Sequence, residues 1–324
     1  MVRVGDDPAA RDLGTLGRTL ARVRGLFERL WAPRVEGAHH LTTARPALVV
    51  GNHSGGVLAM FEPLMLAHAL APHTGLDALP RLLLHEIMWR TPFAPAIARL
   101  GAVRASRANA DALLAHGEKV LVYPGGDREA FRSFFDRDRI RFGDRRGYVA
   151  LAIAHGVPIV PVVTAGMHSG FVCLDDGHAI AARFPLARAL RVGVLPLTLG
   201  FPFGLMPLVP LPYLPLASGV RIRVLAPITF TRSGPAAAAD EAYVEACHAR
   251  VVHAMQEALD ALSLARTAER RARVHGWIDR AFDWLEQVTR SAPRALPAAA
   301  ACTPAGELVP LPTRTSRPSL PRAA

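Results

Sequence analysis

The residues best suited to chemistry lie in Val50-Gly-Asn-His-Ser-Gly-Gly56. This block follows Ala47-Leu-Val-Val-Gly51, which reads as a short buried strand. His53 therefore falls in a loop at a sheet edge, where α/β folds assemble their sites. Glycines beside it let a ligand approach the backbone closely. A bare loop histidine is most often structural or solvated, but Asn-His-Ser-Gly-Gly directly after a strand favours function. A histidine base works best when a carboxylate orients it and stabilises its charged form. The nearest downstream carboxylate is Glu62, in Met60-Phe-Glu-Pro63. Pro63 marks a first helical position, so Glu62 is expected at a helix N-terminus, where the dipole favours an ionised carboxylate. A simple capping role is compatible with that place.

A second block, Val122-Tyr-Pro-Gly-Gly-Asp-Arg-Glu129, again ends a strand in a glycine-rich turn carrying charges. Arg128 is a candidate for holding an anionic or polar head group, and the Gly125 and Gly126 amides for facing a ligand. Taken alone, Pro-Gly-Gly-Asp is a good turn and nothing more. A third block, Gly156-Val-Pro-Ile-Val-Pro-Val-Val163, reads by itself as a buried strand.

The elements that must position these residues alternate between strand and helix over Ala44–Ile228. Strands are predicted at Ala47–Gly51, Arg81–Ile87, Lys119–Tyr123, Pro158–Val163 and Gly219–Leu225. Helices are predicted at Pro63–Ala71, Pro92–Gly101, Ala108–His116 and Gly147–His155. Short apolar strands between helices imply an α/β domain with a covered central sheet. Before it, Leu13–Trp31 reads as an amphipathic helix, with Leu16, Leu20, Val23 and Phe27 opposite Arg18, Arg22, Arg24 and Arg29. Such a helix suits a membrane interface or the protein's own core, and the pattern leaves both open. After it come helices at Asp240–Leu264 and Arg266–Thr289, then an aperiodic Ala/Pro/Thr/Arg tail expected to be disordered.

The chain has 324 residues, 51% hydrophobic and 20% charged, which is enough for a substantial core. Three scattered cysteines, Cys173, Cys247 and Cys302, exclude a disulfide framework and a cysteine-rich zinc site. The net charge is +11, yet Lys119 is the sole lysine and aromatics are only 6%. Arginine-rich bias without stacking residues argues against a nucleic-acid partner. The mean hydropathy of +0.20 is high for a freely soluble enzyme. No secretory signal is read at the N-terminus. The uncharged run Val192–Val220 has the length of a membrane span, but its six prolines forbid a lipid-exposed helix. It is expected to be irregular apolar backbone, packed on the core or dipping into a membrane interface.

Together the blocks resemble those of the glycerolipid acyltransferase superfamily, the lysophospholipid, glycerophosphate and monoacylglycerol or diacylglycerol acyltransferases. Asn52-His53 matches the first block, and Arg81-Leu-Leu-Leu-His85 through Gly101-Ala-Val-Arg-Ala-Ser-Arg107 the second. Tyr123-Pro-Gly-Gly-Asp-Arg128 matches the third, and Val157-Pro-Ile-Val-Pro161 the fourth. The resemblance covers roughly residues 44–228 and implies a central mixed sheet flanked by helices. It also implies a His53 general base with Glu62 beside it, and a substrate region at Asn52, Ser54, Gly55, Gly56, Tyr123, Gly125, Gly126 and Arg128. Two departures stand out. Leu58 occupies the place of the usual aspartate, so Glu62 must substitute. Gly125 replaces the usual glutamate of the third block, which tilts the resemblance toward the neutral-glyceride branch.

The chemistry implied is acyl transfer from an acyl-CoA or acyl-carrier-protein thioester to a lipid hydroxyl, with neither metal nor further cofactor. A serine esterase is disfavoured because Gly51-Asn-His-Ser-Gly55 and Gly166-Met-His-Ser-Gly170 carry histidine where a nucleophile elbow needs serine. A non-catalytic lipid-binding or scaffold protein on the same fold is the alternative. The expected organisation is a helical segment at 1–40, an α/β domain at 41–232, helices at 233–290 and a tail at 291–324. The expected location is cytoplasmic, peripheral on the inner face of the membrane. The oligomeric state is left open.

Overall fold

The computed structural model describes residues 3–43, 46–170, 172–183, 194–200, 204–207, 218–273, 284 and 286–287. The chain divides into two compact units, Met1–His275 and Gly276–Ala324. The expected tail at 291–324 and most of the second C-terminal helix lie outside the described residues.

The first unit is built on a seven-stranded mixed sheet. Its strands are β1 (Arg34–Glu36), β2 (Ala47–Gly51), β3 (Arg81–Leu84), β4 (Val103–Arg104), β5 (Lys119–Val122), β6 (Ile159–Ala165) and β10 (Arg221–Val224). Their spatial order is β1-β10-β6-β2-β5-β3-β4. The run β6-β2-β5-β3-β4 is parallel, and β10 joins β6 antiparallel. Every residue of β2 and β6 is buried, as the near-continuous apolar runs of a covered parallel sheet require.

Alternation along β2 distributes its side chains to two cores. Leu48 and Val50 face a layer formed by α5 (Arg107–Ala115), α7 (Gly147–His155) and the long helix Glu241–Arg273. Ala47 and Val49 face the opposite layer, formed by α1 (Leu13–Leu30) and α3 (Glu62–Thr74).

That second layer decides between the two readings of the N-terminal helix. Asp12 caps α1 by accepting from the Thr15 N–H at 3.0 Å. Leu16, Leu20 and Phe27 are buried in the core, and Trp31 closes the C-terminal end against Phe27, with ring centroids 5.1 Å apart. These residues of the apolar stripe are therefore covered by protein, which selects the core over the membrane interface of the two readings left open for α1. Its arginines 18, 22, 24 and 29 are exposed.

Two other expectations change. The helix Glu241–Arg273 is continuous across the break placed near residue 265, because Ser263, Leu264 and Ala265 contain no helix breaker. Part of the uncharged run forms strands, β8 (Leu197–Gly200) and β9 (Gly204–Pro207); β8 pairs with β7 (Val172–Asp175) on one side and β9 on the other in a small antiparallel sheet. Gly204, with φ of 72°, opens β9 opposite Gly200. Residues 192–193, 201–203 and 208–217 of that run lie outside the described ones.

Candidate active site

The parallel strands β2, β5 and β6 all point their C-terminal ends at one edge of the sheet. The segments leaving them, 52–61, 123–130 and 166–170, meet there. Gly51 permits the first close contact. A Cβ at Gly51 would lie 2.5 Å from the Tyr123 ring, so only glycine lets these neighbouring strand ends carry Tyr123 and His53 together. The two rings stack with centroids 4.5 Å apart and planes 27° apart.

His53 and Glu62 form a dyad. The His53 Nδ1 lies 2.8 Å from Glu62 Oε2. Glu62 is fully buried, whereas the His53 side chain is 20% exposed. The carboxylate also accepts from the Ser54 N–H at 3.2 Å and the Ser54 hydroxyl at 3.3 Å. It opens α3, so the helix dipole adds to its stabilisation. With Nδ1–H donating to Glu62, Nε2 carries the lone pair. The residue in the usual aspartate position, Leu58, is buried in a 3-10 turn spanning Gly56–Met60. That turn takes up the extra residues and brings Glu62, nine positions on, back to the imidazole.

The loop that holds His53 is fastened at each residue. Asn52 is completely buried. Its amide N–H donates to the Thr164 carbonyl at 3.0 Å, and its Oδ1 accepts from the Thr164 N–H at 2.7 Å. Asn52 thus staples the loop to the end of β6 and is not placed to touch substrate, which corrects its expected role. The His53 N–H donates to Glu129 Oε2 at 2.9 Å, and the His53 carbonyl accepts from Arg132 at 2.5 Å. The Gly55 N–H donates to His168 Nδ1 at 3.1 Å. The Gly126 N–H closes the turn onto the Tyr123 carbonyl at 3.2 Å. Ser54, Gly55 and Gly126 are therefore engaged within the protein, leaving Gly56 and Gly125 from the expected set of ligand-facing amides.

Arg128 does not join the dyad. It is exposed and donates to His178 Nε2 at 2.6 Å. The arginine that reaches the His53 loop is Arg132, four residues on and past the end of the short helix Gly126–Ala130. Arg145 secures the Pro124-Gly125 turn instead, donating to both carbonyls at 3.1 and 2.7 Å.

Three residues at the site were not singled out from the sequence. Glu129 and Arg132 follow the second block, where a charge after a turn reads as solvated. Both are buried. His168 sits in Gly166-Met-His-Ser-Gly170, noted only as a failed nucleophile elbow. The opposite charges three residues apart at 129 and 132 were the available signal.

Burial shapes the ionisation of this shell. It drives the His168 imidazole well below its ordinary range, with the charge of Arg132 pushing the same way, so His168 is neutral and can accept from Gly55. Burial pushes the Glu129 carboxyl above the usual carboxylate range, against the pull of Arg132 and the two N–H groups it accepts. Burial, then the charges of Glu62 and Glu129, raises the Tyr123 phenol well above its ordinary value, so its hydroxyl stays protonated. A cavity of about 10 Å³ touches Ser54, Arg132, Thr164, His168 and Ser169. That is room for about one water. Among the described residues there is no cluster of three or more metal-ligating side chains.

Comparison with known proteins follows this geometry. Residues 32–165 match the model of the Acyltransferase family. An uncharacterized protein of Mycobacterium leprae is 32% identical over 192 residues, covering 59% of this chain and 50% of its own length. An uncharacterized protein of Mycobacterium tuberculosis is 32% identical over 187 residues, covering 57% of this chain and 51% of its own. The chain thus spans about half the length of these curated relatives. The crystal structure of the 1-acyl-sn-glycerophosphate acyltransferase PlsC from Thermotoga maritima aligns with a TM-score of 0.43 at 17% identity, covering 76% of this chain and 79% of that one. The matched segment, residues 32–165, contains the His53–Glu62 dyad, Glu129 and Arg132, and over that span the chain is similar to the Acyltransferase family.

Proposed function

We propose that this protein is an acyltransferase that moves a fatty acyl group from a thioester donor to the hydroxyl of a lipid acceptor, with His53 as general base. The observation that carries this reading is the 2.8 Å contact between His53 Nδ1 and the buried Glu62 carboxylate. It leaves Nε2 as the proton acceptor at a partly exposed position. In the proposed reaction Nε2 takes the proton of the acceptor hydroxyl as its oxygen attacks the thioester carbonyl. The tetrahedral intermediate collapses by breaking the carbon–sulfur bond, and the imidazolium returns its proton to the departing thiolate. No nucleophile from the enzyme is needed, because the acceptor supplies one. General base catalysis accounts for about a hundred- to ten-thousandfold, and the remainder comes from positioning and oxyanion stabilisation. Gly56 and Gly125 are the amides we assign to the oxyanion. The donor is an acyl-CoA or an acyl-carrier protein.

A lipid substrate calls for access to a bilayer. No described helix is long and apolar enough to cross a membrane. We place the membrane contact at the edge that carries the dyad, in place of the apolar stripe of α1. Met60 and Phe61, directly before Glu62, are 53% and 44% exposed, and Phe93, beyond the end of β3, is 67% exposed. Exposed Arg90 and Arg128 flank them in sequence position at the same sheet edge. Each basic side chain near an anionic surface contributes about 1 kcal/mol. Peripheral binding on the inner face of a cytoplasmic membrane follows from this reading.

The test is thiol release from palmitoyl-CoA and from palmitoyl-acyl-carrier protein. Wild type and His53→Ala would each be offered glycerol-phosphate, lysophospholipid and mono- and diacylglycerol acceptors in mixed micelles. Transfer with at least about a hundredfold loss in His53→Ala is expected. Lipid binding without transfer to any acceptor would favour the non-catalytic lipid-binding alternative.

A further inference from the structure

The peptide of His53 is held at both of its polar groups by one short stretch of chain. The Glu129 carboxylate accepts the His53 N–H at 2.9 Å, and its other oxygen accepts the Arg141 N–H at 3.1 Å. The Arg132 guanidinium donates to the His53 carbonyl at 2.5 Å and to the Glu129 carbonyl at 2.7 Å. Its remaining donors reach the Asp136 carbonyl at 3.2 Å and the Arg137 carbonyl at 2.7 Å. Glu129 is wholly buried and Arg132 almost wholly so. Charged groups kept so far from water must be paired and hydrogen-bonded, and each here spends a bond on the main chain of the same histidine.

Gly125 explains how the carboxylate gets there. Its φ and ψ are −65° and −26°, ordinary helical values that any residue adopts. The backbone does not require glycine at this place; the space does. A Cβ on residue 125 would lie 2.2 Å from Glu129 Oε2 and 2.4 Å from Glu129 Cβ. Residue 125 and the Glu129 side chain therefore compete for one volume, and the glycine yields it to the carboxylate.

We infer that Glu129 and Arg132 are positioning residues of the reaction, fixing the His53 backbone so that its Nδ1–H stays on Glu62 and its Nε2 faces the acceptor. This rests on His53 being the base, and it assigns no contact with substrate to either residue. The consequence is specific. Loss of the clamp frees the loop, the Nδ1–H bond to Glu62 is no longer enforced, and the imidazole takes up both tautomers. The turnover number falls while binding of donor and acceptor is little changed.

The experiment uses the full chain labelled with 15N-histidine at about pH 9, where imidazoles are neutral. The tautomer of His53, identified by its loss in His53→Ala, is read in wild type, in Glu129→Gln and in the exchanged pair Gly125→Glu/Glu129→Gly. Thiol release from palmitoyl-CoA with a monoacylglycerol acceptor is measured on the same proteins. Glu129→Gln is isosteric, but it offers an N–H to one of two N–H groups. The expected result is a shift from the Nδ1–H form toward a mixture, with kcat about a hundredfold lower and KM within about threefold. The exchanged pair supplies a carboxylate from the other side of the same volume and is expected to recover the Nδ1–H form and part of the turnover. An unchanged tautomer and unchanged kcat in Glu129→Gln would overturn the inference. Loss of fold in both Glu129→Gln and the exchanged pair would also overturn it, assigning Glu129 to stability alone. Full activity in His53→Ala would instead sink the base assignment, and the tautomer measurement would still judge the clamp.

Discussion

Replacing Glu62 by Gln tests the dyad with the least disturbance of shape. In the wild type the carboxylate accepts three hydrogen bonds, from His53 Nδ1–H, the Ser54 N–H and the Ser54 hydroxyl. Glutamine can set its amide oxygen at the Oε2 position, where it still accepts from His53 Nδ1–H and the Ser54 N–H, with its NH2 donating to the Ser54 hydroxyl. The tautomer is kept, and what is lost is the negative charge that stabilises the imidazolium. A hydrogen bond to a charged group contributes about 1.5–3 kcal/mol, against about 1 for a neutral one. A loss of about 1–3 kcal/mol at the transition state corresponds to about 5- to 150-fold in kcat, since each 1.36 kcal/mol is a factor of ten. Binding of donor and acceptor does not use this carboxylate, so KM should stay within about threefold. Thermal unfolding should move little, because the amide fills the same buried volume and keeps a bond to Ser54. The assay is thiol release from acyl-CoA under saturating acceptor, with a melting curve on the same sample. A Glu62→Gln enzyme within twofold of wild-type kcat, alongside an inactive His53→Ala, would refute the charge-stabilising role of Glu62.

Four further outcomes follow. Asn52→Ala strands the buried N–H and carbonyl of Thr164, at about 1–3 kcal/mol each; a clear fall in melting temperature by calorimetry is expected, and an unchanged one would contradict the staple. Arg128→Ala, at an exposed side chain bonded to His178, should leave both stability and turnover near wild type, and a turnover loss beyond tenfold would return Arg128 to the site. Met60→Asp/Phe61→Asp should reduce co-sedimentation with anionic vesicles at low salt while the melting curve is retained; equal binding would move the membrane contact elsewhere, whereas deleting residues 1–32 would strip Leu16, Leu20, Phe27 and Trp31 from the core and cannot serve as that test. His168 is held neutral in the folded state, so the unfolded chain binds the extra proton as pH falls below about 6.5, and stability should drop by up to about 1.4 kcal/mol per pH unit there. Urea titrations of wild type and His168→Asn between pH 7 and pH 5 would show that component vanish in the variant, and parallel slopes would deny it.

The strands were legible because burial on both faces leaves little freedom in composition. Ala47–Gly51 and the helix Gly147–His155 carry only residues that a covered α/β layer accepts, and they fall where the periodicity put them. His53 and Glu62 were legible because a histidine after a strand and an acid at a helix start each have a local signature. Elements with weak local patterns were not readable in this way. β1 and β4 have three and two residues and exist because a neighbouring edge pairs with them. The run at 192–220 looked irregular because its prolines break helices. Between them, however, Leu197–Gly200 and Gly204–Pro207 are long enough to pair as a hairpin against β7.

The amphipathic α1 shows a different limit. Its stripe told which face is apolar but not what covers it, since a bilayer and a protein core make the same demand of Leu16, Leu20 and Phe27. Charge is ambiguous in the same manner. Arg128 and Arg132 are both arginines on one short stretch, yet one is exposed and the other is among the most buried large side chains of the chain. What separates them is the position of Glu129, and Glu129 is buried only because residue 125 has no side chain. The absence of a glutamate at position 125, a departure when the sequence is read block by block, is in three dimensions the vacancy that a glutamate four residues later fills. The Glu129 carboxylate thus fills the volume that a side chain at position 125 would need. Glu62 reaches the imidazole from nine residues on, behind its 3-10 turn. In this chain the two acids converge on His53, one on its ring and one on its main chain.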